Sequence, residues 1–526
     1  MSIIKNYFLN TPFLKQLQLI STNKKKVISV TAASSFILFL IYSVNKLVRP
    51  PKNLRHIPYQ SFFQFCVALL KNESIMERSR YYSQKYLDKK GSTGLYMRPG
   101  RLGWEIHVTD PESIRRIFLK HEFFVKTNNP SGNTHALSYK FTGRNIALLS
   151  GDPWKKQRKV INPAFHRAMP LDMFGQLTIQ MFDEMEKLGD TIDFTDMMER
   201  FTLDAIGKAG FGFDFNAISD HDNIWVNTYH VIRDGIKDPL FFLFPGLDKY
   251  MLWLFPQRRE THACLERFHK MLDKVIAEKR EMLKIGKNQN PYLNNDSEKD
   301  LLTLMLESDK QDYMTDQQLK DNLCVFFVAG HDTTANTMAS MIYYLAKNSD
   351  IQEKARQEAF DILGEDAVNV MPAFDDLKKM RYINQIIKET LRMNGPATVI
   401  VPRVATQDTE LSGTFIPKGS LVNVNIYDTH HRETFWRDPL RFDPDRFGDE
   451  QEKNRTAMSW VPFGNGARQC IGMNFSLAEQ QVMLSMLLRK YNFELPKDSI
   501  HQNGIVATGV TLIGPKKMDI IFKKRY

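Results

Sequence analysis

Cysteine is scarce in this chain, which has four among 526 residues: Cys66, Cys264, Cys324 and Cys470. They lie far apart and none belongs to a Cys-x-x-Cys pair, so their spacing excludes a zinc ribbon and argues against a disulfide framework. Internal repeats and long low-complexity tracts are also absent. With 43% hydrophobic and 25% charged residues, the composition is that of a globular protein. We therefore expect a fold suited to a reducing compartment, with single cysteines free for chemistry.

Acidic residues are absent from the first 72 positions, where lysine and arginine recur. The whole chain has a net charge of +11, which is compatible with a membrane surface, an acidic protein partner or nucleic acid. No tract alternates basic and aromatic residues as a nucleic-acid platform would. We therefore expect a membrane or an acidic partner, and no nucleic acid.

Residues 27–44 form an uncharged run within this acid-free region, VISVTAASSFILFLIYSV. As a helix the run would be about 27 Å long, close to the roughly 30 Å hydrocarbon core of a bilayer. A cleaved signal peptide would have a shorter apolar core nearer the first residue, and a buried helix would not have bases at both ends. We predict a basic leader over 1–26, a transmembrane helix over 27–44 and a proline-rich linker over 45–59. The basic residues on the two sides nearly balance, so the orientation stays open.

Helical periodicity dominates from about residue 60, for example over residues 171–190 and 351–366. Past residue 400 the sequence pattern changes: β-branched residues recur at alternate positions in short segments, which are separated by turns rich in glycine and proline. This pattern predicts a mainly α body with small β-sheets contributed late, in one domain over residues 60–526.

Residues 315–348 predict one long helix that begins with a capping box and has an unusual centre. Its middle, AGHDTT, contains a glycine and two β-branched threonines, which are poor helix formers. Gly330 fits either the close crossing of a neighbouring helix or space beside a bound group. In the second case Asp332 and Thr333 would supply an acid and a hydroxyl at the groove.

The segment WVPFGNGARQCIGMNFS, residues 460–476, places Cys470 among three glycines and an arginine. A cysteine that only packs needs no such surroundings. From this segment alone the thiol could be a nucleophile, half of a disulfide or a metal ligand.

Three shorter clusters are weak indications by themselves. Glu389 and Arg392 are spaced for an ion pair on one helical face. Arg446 lies in a loop rich in proline and aspartate and could join that pair, and Trp154 and Arg158 lie one helical turn apart.

Taken together and in this order, these segments resemble the cytochrome P450 family of haem-thiolate monooxygenases, from about residue 60 to the C-terminus. The Ala-Gly-x-Asp-Thr-Thr helix motif, Glu-x-x-Arg and Pro-x-Arg-Phe are all complete. The family's most diagnostic pattern, Phe-x-x-Gly-x-Arg-x-Cys-x-Gly, is unbroken at Phe463, Gly466, Arg468, Cys470 and Gly472.

The resemblance implies the cytochrome P450 fold, with haem b between the long central helix and the cysteine loop with the helix that follows it. Cys470 would be the axial thiolate of the haem iron, a strong donor that needs protection and a tuned basicity. Phe463 would shield the sulfur. Gly464, Gly466 and Gly472 would let the chain turn tightly and aim backbone N–H groups at it. By the family's pattern, the donors to the haem propionates would be Trp154, Arg158, Arg403 and Arg468.

The remaining motif residues divide into two roles by the same resemblance. Asp332 and Thr333 would deliver protons, with the hydroxyl near bound dioxygen or an ordered water and the carboxylate linked to solvent. Glu389, Arg392 and Arg446 resemble the family's structural triad, which braces the haem-binding side of the fold.

The implied reaction inserts one atom of O₂ into a C–H bond of a lipophilic substrate: a steroid, a fatty acid or a xenobiotic. Because no flavin or nicotinamide fingerprint is present, the electrons must come from outside this chain. We expect NADPH–cytochrome P450 reductase on the same membrane, with cytochrome b5 as a second candidate partner. The endoplasmic reticulum, with a cytosolic catalytic domain, is the expected location, and the long basic leader keeps the mitochondrion open. Residues 238–256 are strongly apolar and fit either contact with membrane lipid or a buried core segment.

Three other functions agree less well with the sequence. A haem-thiolate isomerase or dehydratase acting on peroxides would typically lack the acid and hydroxyl of Asp332 and Thr333, and a haem sensor would need no proton relay. Cys470 as a hydrolase nucleophile would need a base, and nothing marks His430 or His431, the histidines nearest in sequence, as one.

Overall fold

The computed structural model describes residues 31, 34–35, 37–38, 41–46, 48–71, 73–127, 133–166, 169–286, 290–292, 299–309, 314–509 and 512–526. The predicted leader lies outside these residues, and so does much of the predicted anchor, of which residues 31, 34–35, 37–38 and 41–44 are described and helical. Among the described residues, none of the helices combines the length and the apolar character needed to cross a membrane.

Helices form most of the described body, which agrees with the predicted class. The α-helices are α1 (Phe62–Leu70), α2 (Ile75–Arg78), α3 (Gln84–Leu87), α4 (Pro111–Leu119), α5 (Leu137–Thr142), α6 (Gly151–His166), α7 (Leu171–Leu188), α8 (Phe194–Ile206), α9 (Ile224–Lys237), α10 (Pro239–Leu243), α11 (Leu247–Tyr250), α12 (Pro256–Lys284), α13 (Leu301–Asp309), α14 (Asp316–Lys347), α15 (Ser349–Leu363), α16 (Phe374–Lys379), α17 (Arg381–Asn394), α18 (Ile426–His430), α19 (Asp449–Asn454) and α20 (Met473–Lys490). Short 3₁₀ turns lie at Lys52–Leu54, Leu252–Leu254, Pro444–Phe447 and Gly466–Arg468, and π-helical turns at Ser79–Ser83 and Gly207–Phe211.

Four small sheets complete the fold. Their strands are β1 (Leu95–Gly100), β2 (Gly103–Val108), β3 (Phe124–Lys126), β4 (Thr191–Asp193), β5 (Arg403–Ala405), β6 (Thr409–Leu411), β7 (Thr414–Ile416), β8 (Leu421–Val424), β9 (Tyr491–Glu494), β10 (Ala507–Thr508), β11 (Gly514–Pro515) and β12 (Asp519–Lys524). The strand orders are β1-β2-β8-β5-β3, β4-β12-β9, β10-β11 and β6-β7.

The prediction that the sheets come late in the chain is right for β5 to β12 and wrong for the first strands. In the largest sheet, β2 pairs in parallel with β8, with Glu105 opposite Leu421. Parallel neighbours need a long crossover connection, and here most of the helical body lies between the two strands. A sequence window around β2 contains no sign of a partner so far away.

The long central helix, α14, is the element that most clearly confirms the sequence pattern. The Thr315 hydroxyl accepts from the Gln318 N–H at 3.3 Å, and the Gln318 side chain accepts from the Thr315 N–H at 3.0 Å, as the predicted capping box requires. Further along, the hydroxyls of Thr334 and Ser476 are 2.9 Å apart. The centre of α14 is therefore in contact with the first turn of α20, the helix that follows Cys470.

The predicted structural triad braces this side of the molecule. Glu389 and Arg392, both on α17, are fully buried and form two hydrogen bonds of 2.7 and 2.8 Å. Arg446 Nε lies 3.5 Å from the same carboxylate. Arg392 also donates to the carbonyls of His430 and Pro439, each at 2.8 Å, so one buried guanidinium joins α17 to the end of α18 and the loop beyond it.

Candidate haem site

Cys470 lies at the end of a tight loop directly before α20. Its N–H donates to the Phe463 carbonyl at 2.9 Å, which closes the loop, and Gly464 and Gly466 adopt φ values of 68° and 70°. At Gly466 a Cβ would lie 3.0 Å from the Phe118 carbonyl oxygen, so both the conformation and the space favour glycine. The half-buried Phe463 packs against the core beside this loop.

Opposing influences act on the Cys470 thiol, and their net effect raises its pKa, with burial as the largest cause. The side chain is accessible yet lies deep in the protein, and burial raises the pKa of the thiol. A hydrogen bond from the Gly472 N–H and the positive charges of Arg158 and Lys126 lower this pKa. Of the three glycines predicted to shape the loop, Gly464 and Gly466 have the positive φ values of a tight turn, whereas Gly472 has φ −85° and directly precedes α20.

The four predicted propionate donors come together beside this loop. The Arg468 guanidinium lies 3.8 Å from the ring centroid of Trp154, which is buried on α6. Arg158, one turn further along α6, donates to the Gln469 carbonyl at 3.3 Å. Arg403, at the start of β5, is 2% exposed and donates to the carbonyls of Ile117 and Phe124.

Lys126 is a fifth member of this group that sequence reasoning missed. It lies at the end of β3, directly opposite Arg403 of β5 in the antiparallel pairing. Its N–H donates to the Ser150 hydroxyl at 3.2 Å, and Arg468 lies 3.4 Å from the same hydroxyl. Burial, followed by the charges of Arg403, Arg468 and Arg158, lowers the pKa of Lys126 to about 7. The β3–β5 pairing, which joins segments far apart in sequence, was the missing signal.

This cluster of cations has the chemistry that the two carboxylates of a haem require. Among the described residues, no acidic side chain pairs with Lys126, Arg158, Arg403 or Arg468, although like charges directly opposite on paired strands are destabilising. The buried Arg403 Nε and Arg468 Nη1 have no hydrogen-bond partner within the described part of the chain. Burial lowers the pKa of both guanidinium groups to about 10, so both remain charged. Two orphaned donors in a net positive pocket beside a cysteine therefore fit the propionates and iron of one haem.

The centre of α14 presents the two predicted catalytic residues on different sides of the helix. Ala329 is exposed and Thr333 half-buried, although most of α14 lies in the core, and the Thr333 hydroxyl donates to the Ala329 carbonyl at 2.8 Å. Asp332 turns toward α9 instead, where its carboxylate accepts from the Tyr229 hydroxyl at 2.5 Å. The structure thus places the hydroxyl and the carboxylate near each other in the chain but with separate partners.

Gly330 serves as a helix crossing in this structure. A Cβ built on it would lie 2.6 Å from Cγ1 of Ile206, at the end of α8. Of the two interpretations that the sequence left open, the close approach of a neighbouring helix is the one that the packing supports, and the space beside a bound group is not found at Gly330.

The two histidines nearest to Cys470 in sequence have hydrogen-bond partners other than the thiol. His430 Nε2 accepts from the Val461 N–H at 2.9 Å, and His431 Nδ1 lies 2.9 Å from the Tyr427 carbonyl. Burial lowers the pKa of both imidazoles, that of His431 to about 3. Neither can serve as a proton acceptor for the thiol, which supports setting aside the hydrolase.

Comparison with known proteins settles the family. The sequence profile described as "Cytochrome P450" matches residues 64–522. The chain belongs to the cytochrome P450 family. This P450 is 28% identical to cytochrome P450 3A11 of Mus musculus over 413 residues, which cover 74% of this chain and 77% of that protein. It is 27% identical to cytochrome P450 3A5 of Homo sapiens over 412 residues (74% and 77%), and 29% identical to cytochrome P450 4F12 of Homo sapiens over 363 residues (67% and 68%).

Membership of the family establishes the general type of reaction and the cofactor. This P450 is a monooxygenase, and its cofactor is haem b held by an axial cysteine thiolate. At the same level, it uses O₂, a lipophilic substrate and electrons from a redox partner.

Proposed function

We propose that this P450 hydroxylates a steroid, fatty acid or xenobiotic on a membrane, with Cys470 as the ligand of the haem iron. The observation that carries the proposal is the position of the Cys470 sulfur, which receives the Gly472 N–H beside an acid-free cluster of cations. Trp154, Arg158, Arg403 and Arg468 would hold the propionates, and Phe463 would cover the sulfur.

Haem supplies the activation of O₂ when it is bound, and the side chains of α14 supply protons. Thr333 would hold a proton at Oγ1, which now donates to the Ala329 carbonyl and is free to rotate toward a ligand. Asp332 would exchange protons with solvent, because it lines a cavity of about 600 Å³. Along the Ala329 side of the helix Val325 and Val328 are half-buried, and this apolar surface suits a lipophilic substrate.

The electron donor that we propose is NADPH–cytochrome P450 reductase, with cytochrome b5 as an auxiliary donor. Lys155, Lys156 and Lys159 are exposed on α6, the helix that also carries Trp154 and Arg158. A positive surface on the cysteine side of the haem would attract an acidic partner and shorten the path for electrons.

We propose that the segment of residues 238–256 contacts the membrane, with the endoplasmic reticulum as the proposed location. Phe241 is buried, but much of the segment is not, which argues against a core segment. Arg101, in the β1–β2 turn, lies over the Phe242 ring at 4.2 Å, and the same turn borders a groove formed by the linker residues 49–55. The large apolar residues of the segment that are exposed by more than 40% are Leu240, Phe244, Tyr250, Met251, Trp253 and Leu254.

A single preparation tests the assignment of Cys470. The reduced, haem-loaded protein should form a carbon monoxide complex that absorbs near 450 nm, and Cys470→Ala should abolish this band. Cys66→Ala, which changes an accessible cysteine outside the site, is the matched control and should retain the band. A 450 nm band that survives Cys470→Ala would refute the assignment.

Turnover then separates the monooxygenase from a haem isomerase or a sensor. Product should form from lipophilic probes that shift the Soret band, and only when NADPH, reductase and O₂ are all present. An isomerase would form product without reductase, and a sensor would form none.

A further inference from the structure

The Asp332 carboxylate is held from the side of α14 that faces α9. Its Oδ2 accepts from the Tyr229 hydroxyl at 2.5 Å, and its Oδ1 lies 3.4 Å from His331 Nε2 and 3.9 Å from Arg233 Nη1. Tyr229 is 3% exposed, and burial, together with the nearby carboxylate, raises its pKa well above the usual value. The phenol therefore stays protonated and donates to the Asp332 carboxylate.

The distance between Arg233 and Asp332 is long for an ion pair in direct contact, although both side chains are largely shielded from solvent (18% and 14% exposed). Charged partners in contact lie about 2.7–2.9 Å apart, whereas here the nearest atoms are 3.9 Å apart. Arg233 is instead bound to Glu199, which also lies 2.7 Å from His230 Nε2. Burial alone would raise the pKa of Glu199, but His230 and Arg233 lower it to about 2, so this carboxylate is charged at neutral pH.

These groups line one cavity that reaches the surface. Glu199, His230, Arg233 and Asp332 all border the cavity of about 600 Å³ between α8, α9, α14 and the β10–β11 hairpin. Asp234, on its border, has a side chain that is 73% exposed. Water in this cavity can therefore exchange with bulk solvent and reach the carboxylate of Asp332.

A carboxylate in direct contact with an arginine is a poor proton carrier, because the pair strongly favours the charged form. Two contacts keep Asp332 out of such a pair. The Tyr229 hydroxyl takes one carboxylate oxygen, and Glu199 takes the Arg233 guanidinium.

We propose that Tyr229 and Glu199 are positioning residues that hold Asp332 and Arg233 apart, so that Asp332 can take protons from water in the charged cavity. The inference rests on the proposed role of Asp332 in proton delivery. Each proton that leaves Asp332 toward the Thr333 side is replaced by one from cavity water, so the carboxylate returns to its starting state.

The test removes one hydroxyl. Tyr229→Phe keeps the ring that packs against Phe327 and His331. Tyr343→Phe is the matched control, because Tyr343 is also buried (5% exposed) and also donates one hydrogen bond, at 3.0 Å, to the His501 carbonyl away from Asp332. Both variants are made in the full chain, loaded with haem and placed in lipid nanodiscs with reductase, NADPH and lauric acid or testosterone, whichever gives the larger Soret shift.

Tyr229→Phe should raise the peroxide released per NADPH and the solvent isotope effect on product formation, by roughly the threefold to tenfold expected for one lost hydrogen bond. Turnover driven by added hydrogen peroxide, which needs no proton delivery for O₂, should change little. A crystal structure of the variant should show Arg233 and Asp332 in direct contact. Tyr343→Phe should match the wild type in all of these measurements.

Glu199→Gln provides a second route to the same result, because it releases Arg233 toward Asp332. Its control is Glu184→Gln, since the Glu184 side chain is similarly buried (7% against 9% exposed) and pairs with Lys187 and His221 on another face. Wild-type coupling in both Tyr229→Phe and Glu199→Gln would overturn the proposal. If the proposed function itself were wrong, the wild type would form no product with either NADPH or peroxide, which is a different outcome.

Discussion

At the scale of single residues, the site is defined by positive charges that no acidic side chain in the described part of the chain offsets. Lys126 and Arg403 lie opposite each other on β3 and β5, and Arg468 is close to both. Such repulsion costs stability unless an anion offsets it. The unpaired donors are therefore best understood as half of an interaction that two propionates complete.

Lys126→Met should weaken haem binding in a pH-dependent way. A charge-assisted hydrogen bond contributes about 1.5–3 kcal/mol, so haem loss should be roughly tenfold faster or more near pH 6.5. Without haem, burial and the three arginines hold the pKa of Lys126 at about 7, whereas a bound propionate favours the protonated form. Above about pH 7 haem binding must therefore take up a proton, and the advantage of the wild type should shrink toward about pH 8.5. The rate of haem loss from the wild type and from Lys126→Met is measured at each pH by transfer of haem to excess apomyoglobin, followed at the Soret band.

Lys120→Met is the control for this prediction, because Lys120 is exposed at the end of α4 and belongs to no cluster of the site. It should leave the rate of haem loss unchanged at both pH values. Equal rates for Lys126→Met and the wild type near pH 6.5 would show that the lysine does not face a propionate.

The residues of this site differ in how far the sequence could predict them. Cys470, Arg468 and Asp332 belong to local patterns, and such patterns can be read in a single segment. Lys126 and Tyr229 belong to no pattern, because their roles depend on β3 pairing with β5 and on α9 packing against α14. Contacts between distant segments are a property of the folded chain and have no local signal.

At the scale of elements, α14 combines within one turn a close helix crossing and the residues predicted to be catalytic. Gly330 allows Ile206 of α8 to approach closely, while Asp332 faces α9. The capping box and the helix length could be predicted because they depend on neighbouring residues. The identity of the neighbour beside Gly330 could not be predicted, because it depends on the path of α8 through the fold.

Gly330→Ala should destabilise the protein despite the better helix propensity of alanine. Overpacking against Ile206 costs about 1–3 kcal/mol, which exceeds the gain of about 1 kcal/mol from replacing a helical glycine. The measurement is the shift in melting temperature of the haem-loaded protein. Gly246→Ala is the control, because Gly246 has no left-handed φ and its nearest neighbour is 3.9 Å away.

The Ile206→Ala background identifies the cause of this loss. With the longer side chain removed, adding Gly330→Ala should no longer lower the melting temperature, so the two changes should be strongly non-additive. The same loss in both backgrounds would place the clash somewhere other than the crossing with α8.

At the scale of the whole molecule, the segment of residues 238–256 carries six large exposed apolar residues, and the β1–β2 turn lies between this segment and the predicted linker. Exposed apolar side chains in a group, as opposed to scattered ones, indicate a contact with lipid or protein. Their position beside the end of the predicted anchor favours lipid, because an anchor and a second apolar contact on one side would hold the body in one orientation.

Trp253 allows this contact to be measured without truncating the chain. It is 69% exposed, whereas the other five tryptophans, all in the described part of the chain, are buried or half-buried. An interfacial helix places its apolar face about 5–10 Å into the headgroup and acyl boundary. Lipids brominated at shallow acyl positions should therefore quench Trp253 fluorescence in the full-length protein reconstituted in vesicles.

The quenching should disappear in Trp253→Phe and persist in Trp460→Phe, since Trp460 is half-buried and donates to the Lys388 carbonyl in the body of the protein. Replacing Phe244 and Leu254 by serine should reduce the quenching while Trp253 remains, because the segment would lose apolar area that drives its insertion. Quenching that is the same with and without Trp253 would mean that the segment of residues 238–256 faces water or a protein partner. Membrane attachment would then depend on the predicted anchor alone.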